Sequence, residues 1–82
     1  MNKIDFSEFA KNVADYVGME QEEVSKEMNL YEDLMMDSLG LFSLGMYLTG
    51  IYKLQVPLSS VAVINTVGDM YQLLVEKGEP EK

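Results

Sequence analysis

The chain has 82 residues, of which 48% are hydrophobic, and a net charge of −8. We expect one small acidic domain over residues 1–82, and no binding to nucleic acid. The absence of histidine and cysteine leaves no side chain suited to general-base work near neutral pH, so we expect no enzymatic activity. No apolar run has the length of a signal-peptide core or a membrane span, which predicts a cytoplasmic protein that does not insert into membranes.

The first predicted element is an amphipathic helix over about residues 5–17. Asp5 stands at the position of an N-cap, and Gly18 stands where a helix commonly stops. The apolar residues that recur at helical spacing are Phe6, Phe9, Ala10, Val13, Ala14 and Val17. This periodicity indicates a helix that buries one face against a core.

Residues 18–37 form a long connection, in which we expect one short helical turn. Ten of the 14 acidic residues lie between residues 1 and 37, but their spacing matches no calcium-binding loop. We therefore predict a solvated acidic face and no metal ion. The residues that we expect to anchor this loop to the core are Val24, Met28, Leu30, Tyr31 and Leu34.

A second helix is predicted over about residues 38–52, and it is apolar around most of its circumference. It contains no charged residue. A helix of this kind is either central to a bundle or in contact with a partner. Ser38 lies in its first turn, with either Asp37 or Ser38 itself as the N-cap.

Two further helices follow an extended segment that ends at Pro57. Pro57 predicts the start of a short third helix over about residues 58–63. Asn65 or Thr66 caps a fourth helix over about residues 66–77. No strand pattern is evident, so the predicted fold is all-α: a small four-helix bundle with three longer helices and one short one. We expect its core to be built by Phe9, Val13, Leu34, Phe42, Leu48, Val67 and Leu74.

The start of the second helix is the best candidate for chemistry. A helix N-terminus offers unpaired backbone N–H groups and a partial positive charge, which suit a phosphate esterified to Ser38. In a chain without histidine, Ser38 has no plausible partner to activate its hydroxyl as a nucleophile. The pattern therefore favours a site of attachment over a hydrolase, while an ordinary N-cap serine is the simpler alternative.

The segment Asp33-Leu34-x-x-Asp37-Ser38-Leu39, followed by an apolar helix, resembles the phosphopantetheine attachment site of acyl carrier proteins. Three other segments of the chain also resemble this family, so the resemblance covers nearly the whole sequence. These segments are Gly18 to Val24, Val56-Pro57 and Thr66 to Asp69.

The resemblance implies a phosphopantetheine arm, which a phosphopantetheinyl transferase moves from coenzyme A to Ser38. Asp37 would help to present Ser38 to that enzyme. The thiol at the end of the arm would hold acyl groups as thioesters. The protein would then be a monomeric acyl carrier protein that delivers its cargo to acyl-loading, condensing or transfer enzymes of fatty acid, polyketide or related biosynthesis.

Departures from the family pattern favour a specialised carrier over the housekeeping carrier of fatty acid synthesis. In the latter, several outward positions of the second helix are acidic, whereas this chain has Gly40, Ser43, Thr49 and Gly50 there. At the position after Asp-Leu, where the family usually has glycine, this chain has Met35. An aminoacyl, D-alanyl or peptidyl carrier stays open as an alternative, and so does an acidic helical interaction module without a cofactor.

The charge distribution suggests how partners recognise the chain. Residues 38–75 contain one acid and one lysine, so the surface beside Ser38 is close to neutral. We expect apolar contacts there, assisted by the acids of the preceding loop. The predicted partner-binding residues are Glu32, Asp33, Met35, Met36, Leu39 and Met46.

Overall fold

Four α-helices account for most of the chain in the computed structural model, which describes residues 4–80. They are α1 (Phe6–Val17), α2 (Ser38–Tyr52), α3 (Leu58–Val61) and α4 (Val67–Lys77). The predicted all-α class and small four-helix bundle are confirmed. The connection between α1 and α2 contains a 3-10 turn at Gln21–Glu23.

Side chains at the helix ends explain where α1 and α4 begin. The Asp5 carboxylate accepts a hydrogen bond from the Glu8 N–H at 3.2 Å. Thr66 and Asp69 form a complete capping box, in which each side chain accepts a hydrogen bond from the other residue's N–H, at 3.0 and 3.2 Å. These bonds pair N–H groups that a helix leaves without intrahelical partners.

The third helix is shorter than the predicted range of 58–63, because it ends at Val61. The chain must leave helical geometry before Thr66, whose extended conformation caps α4. A short antiparallel pairing of β1 (Leu54–Gln55) with β2 (Glu79–Pro80) was also not predicted. Strands of two residues are too short to show the alternation that marks a strand in a sequence.

The core confirms most of the predicted apolar residues and corrects two of them. Phe9, Val13, Leu48, Val67 and Leu74 are buried. Leu34 and Phe42 are only partly buried and pack against the edge of the core. The buried residues of α2 are Leu41, Leu44, Gly45 and Leu48, and this stripe leaves Phe42 at its margin.

An aromatic cluster joins the start of the chain, the long connection and α4. The rings of Phe6 and Phe9 both contact the ring of Tyr71, at centroid distances of 5.2 and 5.3 Å. The Lys26 ammonium lies 5.1 Å from the Phe6 ring centroid and 5.5 Å from that of Tyr71. The Tyr71 hydroxyl donates a hydrogen bond to the Ile4 carbonyl. The cluster therefore holds three separate parts of the chain together.

Candidate functional site

Ser38 is the first residue of α2, and its side chain is exposed. Asp37, rather than Ser38, is the N-cap of this helix. The Asp37 carboxylate accepts a hydrogen bond from the Gly40 N–H at 2.7 Å. Within residues 4–80 the Ser38 hydroxyl makes no hydrogen bond. Asp37 therefore caps α2 without the Ser38 hydroxyl, which stays exposed.

Gly40 leaves room for this cap. A Cβ atom at Gly40 would lie 3.3 Å from the Asp37 carboxylate oxygen, which is closer than ordinary van der Waals contact. A side chain at position 40 would therefore require the Asp37 carboxylate to shift by a few tenths of an ångström. The carriers of fatty acid synthesis have an acidic residue at this position. The glycine of this chain fits the tight N-terminus of α2.

The site presents an exposed hydroxyl group at the start of a helix. The part of the chain that the structure describes contains no cluster of three metal-ligating side chains. The first turn of α2 contains no acidic residue. A phosphate on Ser38 would therefore lie beside the positive end of the helix dipole, with Asp37 as its nearest negative neighbour in sequence.

The acidic residues predicted for partner binding differ in what they contact. Glu32 is exposed, and its carboxylate makes no hydrogen bond or ion pair within the described chain. Asp33 is also exposed, but its carboxylate accepts a hydrogen bond from the Asn29 N–H at 2.7 Å. The Asp33 carboxylate therefore already has a structural partner.

The predicted apolar contact residues also separate into two groups. Leu39 and Met46 are 76% and 67% exposed, and their separation of seven residues places them on one face of α2. Met35 is 84% exposed. Met36 is only partly exposed because its side chain packs against the core, so it is a weaker candidate for partner contact. Leu58 and Val63 are also exposed. They were not predicted as contact residues, because neither belongs to a helical stripe in the sequence.

Met35 adopts a left-handed backbone conformation, with φ at 58°. This conformation costs a non-glycine residue roughly 1–2 kcal/mol. We predict that Met35→Gly raises the free energy of unfolding by about 0.5–1 kcal/mol, after allowance for the greater freedom of glycine in the unfolded chain. Chemical denaturation would measure the change.

Met35→Ala is the matched control for this substitution. It removes the exposed side chain but keeps the Cβ atom that causes the strain, so we expect no gain in stability. An equal gain for both variants would show that the side chain, and not the backbone conformation, is unfavourable.

The family model described as the phosphopantetheine attachment site matches residues 7–74 of the chain. The protein therefore belongs to this family, whose domains are the site of covalent phosphopantetheine attachment. It is a phosphopantetheine-bearing carrier protein, a class that interacts with modifying and biosynthetic enzymes. None of the helices in residues 4–80 is long and apolar enough to cross a membrane.

Proposed function

We propose that the protein is an acyl carrier protein whose phosphopantetheine arm is attached to Ser38. The observation that carries this proposal is the exposed Ser38 hydroxyl at the start of α2, beside the Asp37 cap. It lies within the segment that matches the family. The chain contains no cysteine, so the thiol that holds the acyl group comes from the arm.

The roles of the chain in this function are binding and presentation, not catalysis. The N-terminus of α2 favours the negative charge of the phosphodiester. Asp37 fixes the first turn and so presents Ser38 to the transferase. Partner enzymes supply the bases and metal ions that loading and transfer need. A monomer in the cytoplasm remains the expectation from the sequence.

An aminoacyl, D-alanyl or peptidyl carrier is the second candidate. The observation that favours it is the absence of charge along α2, where the carriers of fatty acid synthesis have acidic residues. Family membership fits this candidate equally well. A specialised acyl carrier explains the same neutral helix, so the cargo separates the two functions.

Intact mass spectrometry tests the proposal and both alternatives. After incubation with a phosphopantetheinyl transferase and coenzyme A, the mass of the protein should rise by the mass of one phosphopantetheine arm. An unchanged mass, under conditions that modify a control carrier, would favour the interaction module without a cofactor. Protein from its native source should release an acyl group when mild hydroxylamine cleaves the thioester. Release of an amino acid or a peptide would identify the second candidate.

We propose that partner enzymes dock on an apolar contact surface formed by Met35, Leu39 and Met46. The occupant is an enzyme with an apolar surface facing α2 and a basic group at its rim. Two observations support this chemistry. The exposed residues of α2 include no charge, and the free carboxylate of Glu32 lies in the loop before Ser38. Asp33 and Met36 are left out because they already have partners within the chain.

Docking of this kind predicts a weak dependence on salt. Burial of apolar area contributes roughly 25 cal/mol per Å², and salt does not screen it. Leu39→Ala and Met46→Ala should each weaken binding to a partner enzyme by about tenfold. Glu32→Gln should mainly lower the association rate. Binding measurements across a salt series would test these expectations.

Val75→Ala is the control for apolar exposure in general, because Val75 is an exposed residue of α4. It should leave binding unchanged. If affinity fell steeply with salt, and Leu39→Ala and Met46→Ala had no effect on binding, charge rather than apolar contact would drive docking.

A further inference from the structure

The loop before Ser38 contains a turn that is built around Asn29 and Asp33. The Asn29 N–H donates to the Asp33 carboxylate at 2.7 Å, and the Asp33 N–H donates to the Asn29 carbonyl at 2.9 Å. The Asn29 side-chain oxygen accepts hydrogen bonds from the N–H groups of Tyr31 and Glu32, at 2.8 and 2.9 Å. Four hydrogen bonds thus define the path of this turn.

Backbone hydrogen bonds connect this turn to the start of α4. The Leu30 N–H donates to the Asn65 carbonyl at 2.7 Å, and the Val67 N–H donates to the Met28 carbonyl at 3.0 Å. The Gly68 N–H donates to the Lys26 carbonyl at 2.9 Å. The turn is therefore attached to a helix of the bundle, and its position is set by contacts distant in sequence.

The same turn leads directly to the attachment site. The Met36 N–H donates to the Leu30 carbonyl at 3.1 Å, and Met36 precedes Asp37, the N-cap of α2. The chain from Asn29 to Asp37 is thus held at both ends, by the turn and by the cap. The turn and the cap therefore lie at the two ends of one short segment that leads to Ser38.

We propose that Asp33 is a positioning residue for modification of Ser38, and not a charged contact for partner enzymes. The Asp33 carboxylate accepts the Asn29 N–H and so holds the turn that places Asp37 and Ser38. This inference rests on the proposed attachment at Ser38. What the role requires of Asp33 is a hydrogen-bond acceptor, whereas a docking role requires its negative charge.

Two substitutions at Asp33 separate these requirements. Asp33→Asn removes the charge but keeps a side-chain oxygen that accepts the Asn29 N–H. Asp33→Ala removes both. Glu32→Gln is the matched control for charge alone, because Glu32 is the neighbouring acid and its carboxylate makes no hydrogen bond within the described chain.

The experiment measures the steady-state kinetics of modification by a phosphopantetheinyl transferase, at low and high salt. Asp33→Asn should retain nearly the wild-type kcat. Asp33→Ala should lower kcat by about tenfold, as expected from the loss of one hydrogen bond to a charged group, with little change in KM. The misplaced hydroxyl would react more slowly without binding more weakly. Amide hydrogen exchange at Asn29 should accelerate only in Asp33→Ala.

Equal losses for Asp33→Asn and Asp33→Ala, seen as a raised KM and a weaker salt dependence, would overturn the inference in favour of docking by charge. An Asp33→Ala variant with wild-type kinetics would also overturn it. Hydrogen exchange at Asn29 does not depend on modification. If the wild type is not modified at all, the proposed function fails, while the exchange data still decide whether Asp33 holds the turn.

Discussion

Ser38→Ala is expected to abolish attachment of the phosphopantetheine arm. The substitution removes the only oxygen at this position that can form the phosphodiester, and alanine cannot replace it. The fold should be unaffected, because Asp37 rather than Ser38 caps α2. Intact mass spectrometry after incubation with a transferase and coenzyme A would show one added arm on the wild type and none on the variant.

Ser43→Ala is the matched control for this experiment. Ser43 is also an exposed serine of α2, but it lies inside the helix rather than in its first turn. The control should be modified as fast as the wild type. An arm on Ser38→Ala, or its loss from Ser43→Ala, would place the attachment elsewhere.

Phe9→Ala should lower the free energy of unfolding by about 3–5 kcal/mol. The Phe9 side chain is fully buried, and its ring contacts both Phe6 and Tyr71. The substitution leaves a cavity that this small core cannot easily close. Small domains have a total stability of only about 5–15 kcal/mol, so the variant should be near the limit of folding. Urea denaturation followed by circular dichroism would measure the loss.

Two other aromatic residues provide a graded comparison. Tyr16 is on the same helix, is 40% exposed and has its ring 4.9 Å from that of Tyr47, so Tyr16→Ala should cost about 1 kcal/mol. Phe42 is partly buried, and Phe42→Ala should fall between the two. If Phe9→Ala cost no more than Tyr16→Ala, the assignment of the core would be wrong.

Helix positions could be predicted from the sequence because their signals are local. Asp5 and Gly18 mark the two ends of α1, and each bonds to a residue of that helix close to it in sequence. The capping box of α4 likewise pairs Thr66 with Asp69, three residues later. The phase of α2 could not be predicted in the same way. An apolar helix has no polar face to show which side is buried, so Phe42 was wrongly predicted to lie in the core.

The start of α2 was predictable for the same reason, since Asp37 and Ser38 are adjacent and the helix follows immediately. Its supporting structure was not. The bond from Leu30 to Asn65 joins residues far apart in sequence, and no periodicity reports it. The sequence Asn29 to Asp33 does contain residues typical of turns, and this signal was overlooked. Met35 was recognised in the sequence only as a departure from the usual glycine. Its left-handed backbone conformation was not predicted.

The side chain of Lys26 can serve as a natural probe in nuclear magnetic resonance spectra of the protein. Its ammonium lies above the rings of Phe6 and Tyr71, so their ring currents should shift the proton resonances of the neighbouring methylene group. The Lys26 carbonyl also accepts the hydrogen bond from Gly68. The magnetic environment of one lysine side chain therefore reports whether the loop and α4 remain together. Carriers with and without cargo can be compared through this resonance, without any added label.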